Sequence, residues 1–148
     1  MRPKEYMMQY QRSMERVRQI EARIESLYLQ AEIQASAIKA DVIKASGQKQ
    51  DRTGDIAVKI ADMTARLNDN RLKALRLAEE VSAVIDAVPD PIQSRILFDR
   101  YIGGMSWSDI ADDIGYDPAH TRGRLHGAAL ESVRKILEAK SCRENRIN

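Results

Sequence analysis

The sequence predicts an all-α protein: a long, coiled-coil-like antiparallel hairpin followed by a three-helix module. Three observations predict it. Apolar residues recur at three- and four-residue intervals over two long runs, the spacing of one helical face. Charged residues make up 31% of the 148, whereas the turn formers number only seven glycines and four prolines, too few for a sheet protein. Finally, the proline pair in VPDPI, Val88 to Ile92, ends the long pattern, and short segments with their own capping residues follow.

In the first run, from Tyr10, the stripe is Met14, Val17, Ile24, Ala31, Ala35, Ile38, Val42 and Ala45, widened by Ile20 and Leu27. SGQKQDRTGD, Ser46 to Asp55, interrupts it with two glycines among polar residues, a loop signal. The second run is stricter: Ile56, Ile60, Met63, Leu67, Asn70, Ala74, Leu77, Val81, Val84 and Val88 step by four and three without a slip. At 1.5 Å per residue the two helices extend about 60 Å and about 50 Å. Stripes of that length point to a hairpin, residues 1–88, that pairs with a second copy as a homodimer or higher homo-oligomer. Its oligomerisation residues are Ile56, Ile60, Met63, Leu67, Asn70 and Leu77, with Asn70 able to set register or oligomeric state. An exposed place for Asn70 is the alternative.

Beyond the prolines three short helices fit: Pro91 to Ile102, Ser106 to Ile114 and Pro118 to about Ala139, with GGM and GYD between them. They define a module at residues 89–140. SCRENRIN, in 141–148, has no apolar pattern and reads as a frayed, flexible tail. In SWSDIADDIGYDP, Ser106 is a cap, Asp109 completes a weaker capping box, and Ile110, Ala111 and Ile114 share an apolar face. Gly115 supplies a left-handed residue, and Asp117 with Pro118 starts the next helix almost at once. Two short helices joined so tightly make a helix-turn-helix, whose second helix enters the DNA major groove.

A wheel drawn with Thr121, Leu125 and Ala128 inward turns Ala119, Arg122, Gly123 and His126 outward, with His120, Arg124 and Gly127 on the flanks. Arg122 is then the leading base reader, able to pair bidentately with guanine, while Arg124 and His120 suit phosphate. The candidate DNA-binding set is Ser106, Ala119, His120, Arg122, Gly123, Arg124 and His126. Gly123 and Gly127 break helix propensity, yet with Ala119 they form a row of small residues that lets the backbone approach a surface closely. Phe98, Tyr101 and Trp107 read as packing residues, Trp107 locking the module against its preceding helix.

The stretch YIGGMSWSDIADDIGYDPAHTRGRLHGAAL resembles region 4 of bacterial sigma factors in its sW-x-x-IA-x-x-IG core and T-x-x-RLH-x-A continuation. The likeness covers about Ile92 to Leu137. With the long hairpin and the run RYIGGMSW, the whole chain looks like phage late-transcription regulators of the ArpU and RinA type. The resemblance implies sequence-specific binding of double-stranded DNA and a role in phage or prophage transcription in the bacterial cytoplasm, with host RNA polymerase as a further partner. Thr121 matches a core valine position of that family, Arg122 a base-reading basic position, and Arg124 and His126 the Arg and His of RLH. Asp117 and Pro118 depart from the commonest pattern. Nothing resembles the sigma region that melts promoter DNA.

Charge tempers this reading. The formal net charge is only +2, and from Pro89 to Asn148 nine basic residues balance nine acidic ones. One module should therefore neutralise few phosphates and bind weakly, and a dimer restores affinity through effective concentration. Two other functions stay open: a DNA-packaging adaptor like the phage small terminase subunit, and a sigma-like module that docks on polymerase without reading bases. No enzyme, cofactor or metal motif is present; the two histidines are six residues apart, and the single Cys142 excludes an internal disulfide. No signal peptide or membrane-spanning run is expected.

Overall fold

The computed structural model describes residues 1–40 and 48–147, and all regular structure among them is helical. The order is α1 (Pro3–Met7), α2 (Gln9–Ala40), α3 (Gln48–Asp86), α4 (Pro91–Leu97), α5 (Trp107–Ile114), α6 (Pro118–His120) and α7 (His126–Ile147). Two π-helical turns are interposed: π1 (Phe98–Ile102) extends α4, and π2 (Thr121–Leu125) joins α6 to α7.

The polar stretch Ser46 to Asp55 does not form the expected loop over its described part, since α3 already begins at Gln48 and runs through Gly54. Gly54 is exposed, and a helix interior tolerates one glycine at about 1 kcal/mol. Ser46 and Gly47, like Val42 and Ala45 of the first stripe, lie outside the described residues. At the other end, α7 carries Cys142–Ile147 as helix where an unpatterned tail was expected. These residues are all exposed, so the helix there continues α7 without burying a face.

The chain forms two compact units, and the boundary differs from the expected one at Val88. One unit is Met14–Lys73; the other combines Met1–Ser13 with Ala74–Asn148. The prolines do end α3, whose last turn closes with bonds from Ala87 N to Ala83 O and from Val88 N to Ile85 O. The final turns of α3 nevertheless belong with the C-terminal helices. Val81, Val84, Ile85 and Val88 share one core with Met7, Leu97, Tyr101, Ala129 and Val133. Each valine, leucine, isoleucine or methionine among them contributes about 1.5–3 kcal/mol when fully buried, enough to outweigh a sequence boundary.

In the Met14–Lys73 unit both stripes turn inward. Val17, Ile56 and Leu67 are buried, and Met14, Ile20, Ile24, Leu27, Ala31, Ile38, Ile60, Met63 and Asn70 are partly covered. Ala35 is the exception: it is exposed, and Gln34 takes the inward place. Arg71 meets Glu21 at 2.8 Å, and Leu27 and Met63 line one small groove. The candidate oligomerisation residues are thus turned inward within a single chain, including Leu77 of the other unit, which is half-buried. Asn70 is part-covered and donates from Nδ2 to Arg66 O at 2.8 Å, a bond within its own helix that needs no second copy.

Candidate nucleic-acid interface

Local chemistry sets each short helix where the sequence places it. Asp90 caps α4, accepting from the amides of Ile92 and Gln93 at 2.8 and 3.2 Å, with Pro91 harmless at the first helical position. Ser106 caps α5 by accepting from Asp109 N at 3.1 Å. Gly115 ends α5 in the left-handed region at φ +75°, while the amides of Gly115 and Tyr116 both bond Ala111 O. Asp117 then caps α6 by accepting from His120 N at 3.2 Å. Ile110, Ala111 and Thr121 are completely buried, so α5 and the helix from Pro118 meet on the faces the sequence marks as apolar. Thr121 satisfies its hydroxyl by donating to Asp117 O at 2.9 Å.

Arg95 ties α4 to α5. Its guanidinium donates to both oxygens of Asp113, Nε to Oδ2 at 2.9 Å and Nη2 to Oδ1 at 3.0 Å. Asp99 sits beside this pair and is buried, with Oδ2 lacking a hydrogen-bond donor and Arg95 Nε 3.5 Å away. Burial, and then the neighbouring Asp113, push its carboxyl above the usual carboxylate range, against the pull of Arg95.

The run RYIGGMSW builds a second cluster. Arg100 lays its guanidinium over the Trp107 ring, 4.6 Å from the centroid, and donates to Met105 O at 2.9 Å. Trp107 meets His126 edge-on with centroids 4.6 Å apart, and His126 Nε2 lies 2.8 Å from the Tyr101 hydroxyl. The carbonyl of Arg100, in π1, accepts from Gln11 Nε2 at 2.6 Å. Gly103 is required where it stands, because a Cβ there would lie 2.9 Å from Asp99 O.

Most of the candidate DNA-binding residues are exposed as expected: Ser106, Ala119, His120, Arg122, Gly123 and Arg124, together with Gly127. His120 stacks on Tyr116 with ring centroids 6.0 Å apart. Among the described residues neither Arg122 nor Arg124 forms a salt bridge. A Cβ at Gly123 or Gly127 would meet nothing within 4 Å, so both open to solvent.

His126 is a correction. The helical wheel turns it outward, but it is only 9% exposed and held by Tyr101 and Trp107. The cause is π2. A π turn takes up one residue more than an α turn, which rotates everything beyond it by about 100°. Thr121 stays inward, but Ala129 and Val133 replace Ala128 as the inner face, and Ala128 is exposed. Phe98 is corrected too: at the start of π1 it is 49% exposed, whereas Tyr101 and the half-buried Trp107 pack as expected. Trp107 does so against both the preceding Arg100 and the following His126.

Burial is the main reason that His126 is held neutral, its pKa pushed down to about 4, with Lys4 and Arg100 adding positive charge nearby. Burial likewise pushes the Tyr101 hydroxyl up to about 12, against the attraction of Arg100. The pair is therefore two neutral groups at neutral pH, joined by an ordinary buried hydrogen bond. Sequence reasoning missed Lys4, Gln11 and Asp99 as parts of this region. Gln11 and Lys4 carry no local signal, since their roles depend on α1 and the start of α2 packing in the same unit as α7.

Among the described residues no group of histidine, cysteine and carboxylate side chains is arranged to hold a metal, and no helix is long and apolar enough to cross a membrane. No protein-family model, curated protein or solved structure matches the chain.

Proposed function

We propose that the chain is a sequence-specific, double-stranded-DNA-binding transcription regulator of phage or prophage genes, acting in the bacterial cytoplasm. In this reading α5 and the helix from Pro118 form a helix-turn-helix, and α2 and α3 form a helical hairpin that brings two or more copies together. The observation that carries it is the outer surface of the helix from Pro118. There His120, Arg122 and Arg124 stand exposed around Ala119 and Gly123, next to a helix joined through the left-handed turn at Gly115.

Arg122 reads a base edge, the contact in which a guanidinium forks onto guanine O6 and N7. Arg124 and His120 hold phosphates. Gly123 and Ala119 let the helix axis lie close to the groove floor. Ser106 contributes from the exposed start of α5, its hydroxyl oxygen already capping that helix. His126 has no place in the interface; its ring serves the packing behind it. With Asp109 and Asp112 exposed on α5, affinity of one module is low and salt-sensitive, and oligomerisation through the long helices raises it.

Selection of binding sites from random duplex DNA, with Arg122→Ala in parallel, tests the reading. Wild type should enrich one motif, and Arg122→Ala should lose preference at one or two positions, corresponding to about 1–3 kcal/mol of discrimination. Failure of the wild type to enrich any motif would overturn base readout and favour docking on polymerase instead.

A further inference from the structure

We propose that Tyr101 and His126 form a positioning latch, a buried hydrogen bond covered by Trp107 and Arg100 that fixes the register of the helix carrying Arg122 and Arg124. This rests on the assignment of that helix to DNA reading and adds a specificity-determining pair that touches no DNA.

The helix has two ways of being continuous. Wound as an unbroken α-helix from Pro118, it would place Thr121, Leu125 and Ala128 on one line. The observed line is Thr121, Ala129 and Val133, all completely buried, and only the additional residue taken up by π2 brings them onto one face. A π turn is unfavourable by itself and persists where surrounding contacts demand it. Here the demand is made at the first residue after the turn. His126 is drawn inward to the Tyr101 hydroxyl at 2.8 Å, and Trp107 meets its ring edge-on with centroids 4.6 Å apart. Arg100 in turn braces Trp107 and the Met105 carbonyl.

The four partners come from three parts of the module. Tyr101 and Arg100 belong to π1, Trp107 opens α5, and His126 opens α7. The latch therefore joins the helix before the turn, the first helix of the pair and the reading helix at one point. Its loss would leave Thr121 anchored from one side and Ala129 from the other, with the turn between them free to change phase. Arg122, Gly123 and Arg124 lie in that turn, so the directions of the two guanidinium groups are what the latch controls. The net attraction for phosphate depends on charge alone and is unaffected.

The test uses the full chain with Tyr101→Phe, which deletes the hydroxyl while keeping the ring in the core. Two duplexes serve as probes: the one that wild type enriches most strongly, and a scrambled duplex of the same length. Tyr101→Phe should bind the scrambled duplex as wild type does and lose about 3- to 10-fold in preference for the enriched one. An unchanged preference, or an equal fall in affinity for both duplexes, would overturn the latch.

Amide hydrogen exchange of the free protein supplies an independent readout. In Tyr101→Phe the amides of Thr121–His126 should exchange faster, while those of Val84 and Val133 keep their protection. Uniform acceleration, or none, overturns the latch even if no duplex is ever enriched. Accelerated exchange confined to the turn, with no enrichment by wild type, upholds the latch and sinks the DNA reading alone.

Discussion

Arg95 and Asp113 meet through two parallel hydrogen bonds, and Asp99 is buried beside them with one oxygen unsatisfied. The guanidinium thus serves two carboxylates, satisfying the more exposed one fully and the buried one incompletely.

Replacing Asp99 by Asn should therefore stabilise the protein at neutral pH. Its carboxyl holds a proton more tightly in the folded state than in the unfolded state, because burial and Asp113 both raise its pKa. Such a group favours folding in acid, and that contribution is lost as pH rises through the raised value, leaving a buried charge at pH 7. Asp99→Asn should melt about 2–4 °C higher at pH 7, roughly 1 kcal/mol, with the gain vanishing in acid. Thermal unfolding at pH 7 and pH 4 reads both, and a lower melting temperature at pH 7 would show that Arg95 compensates the charge fully.

His126 has the opposite sign. Its folded pKa of about 4 lies below the ordinary 6.5, so between these values the unfolded chain binds the extra proton. Stability from this group is complete above about pH 6.5 and falls as pH drops toward 4, by no more than roughly 3 kcal/mol. Urea unfolding at pH 7, 5.5 and 4.5 should show the fall. In His126→Gln it should shrink, although Lys4, Arg100 and Tyr101 remain around the site.

Met7 lies seven residues into the sequence, yet it is fully buried in the core with Val81, Leu97 and Val133. Met7→Ala should cost about 2–5 kcal/mol, the range for emptying a core position. Denaturant unfolding measures it, and a loss below about 1 kcal/mol would mean that α1 contributes little to the unit.

Two glycines should behave oppositely. Gly123 opens to solvent, so Gly123→Ala should leave folding unchanged or improve it by up to about 1 kcal/mol, whereas Gly123→Leu should weaken DNA binding more than it weakens folding. Gly103 faces the Asp99 carbonyl, and even Gly103→Ala must displace backbone. Paired melting curves and duplex titrations separate the two cases.

The strict stripe from Ile56 to Val88 was readable because helical periodicity accumulates over many turns; each of its ten residues is buried or partly covered. Ser106, Gly115 and Asp117 were readable because capping and left-handed turns are local chemistry. Three things were not. Gln48–Asp55 looks like a loop by composition, yet helix α3 runs through it. The inward turn of His126 depends on π2, and no composition rule marks a π turn that is stabilised by distant side chains. Asp99 gave no warning of burial, since a lone carboxylate between Phe98 and Arg100 reads as solvated. The expectation of a homo-oligomer rests on the length of the two stripes alone.

The unit formed by Met1–Ser13 with Ala74–Asn148 also constrains how the protein is made. The segment with Met7 leaves the ribosome more than a hundred residues before Ala129 and Val133 of its core are added. Until Val133 has been added, Met7 and Tyr6 have no finished core to enter, and contacts this distant in sequence close slowly. The helix that carries Ala129 and Val133 therefore cannot finish packing before that closure, so its final register depends on a segment made long before it.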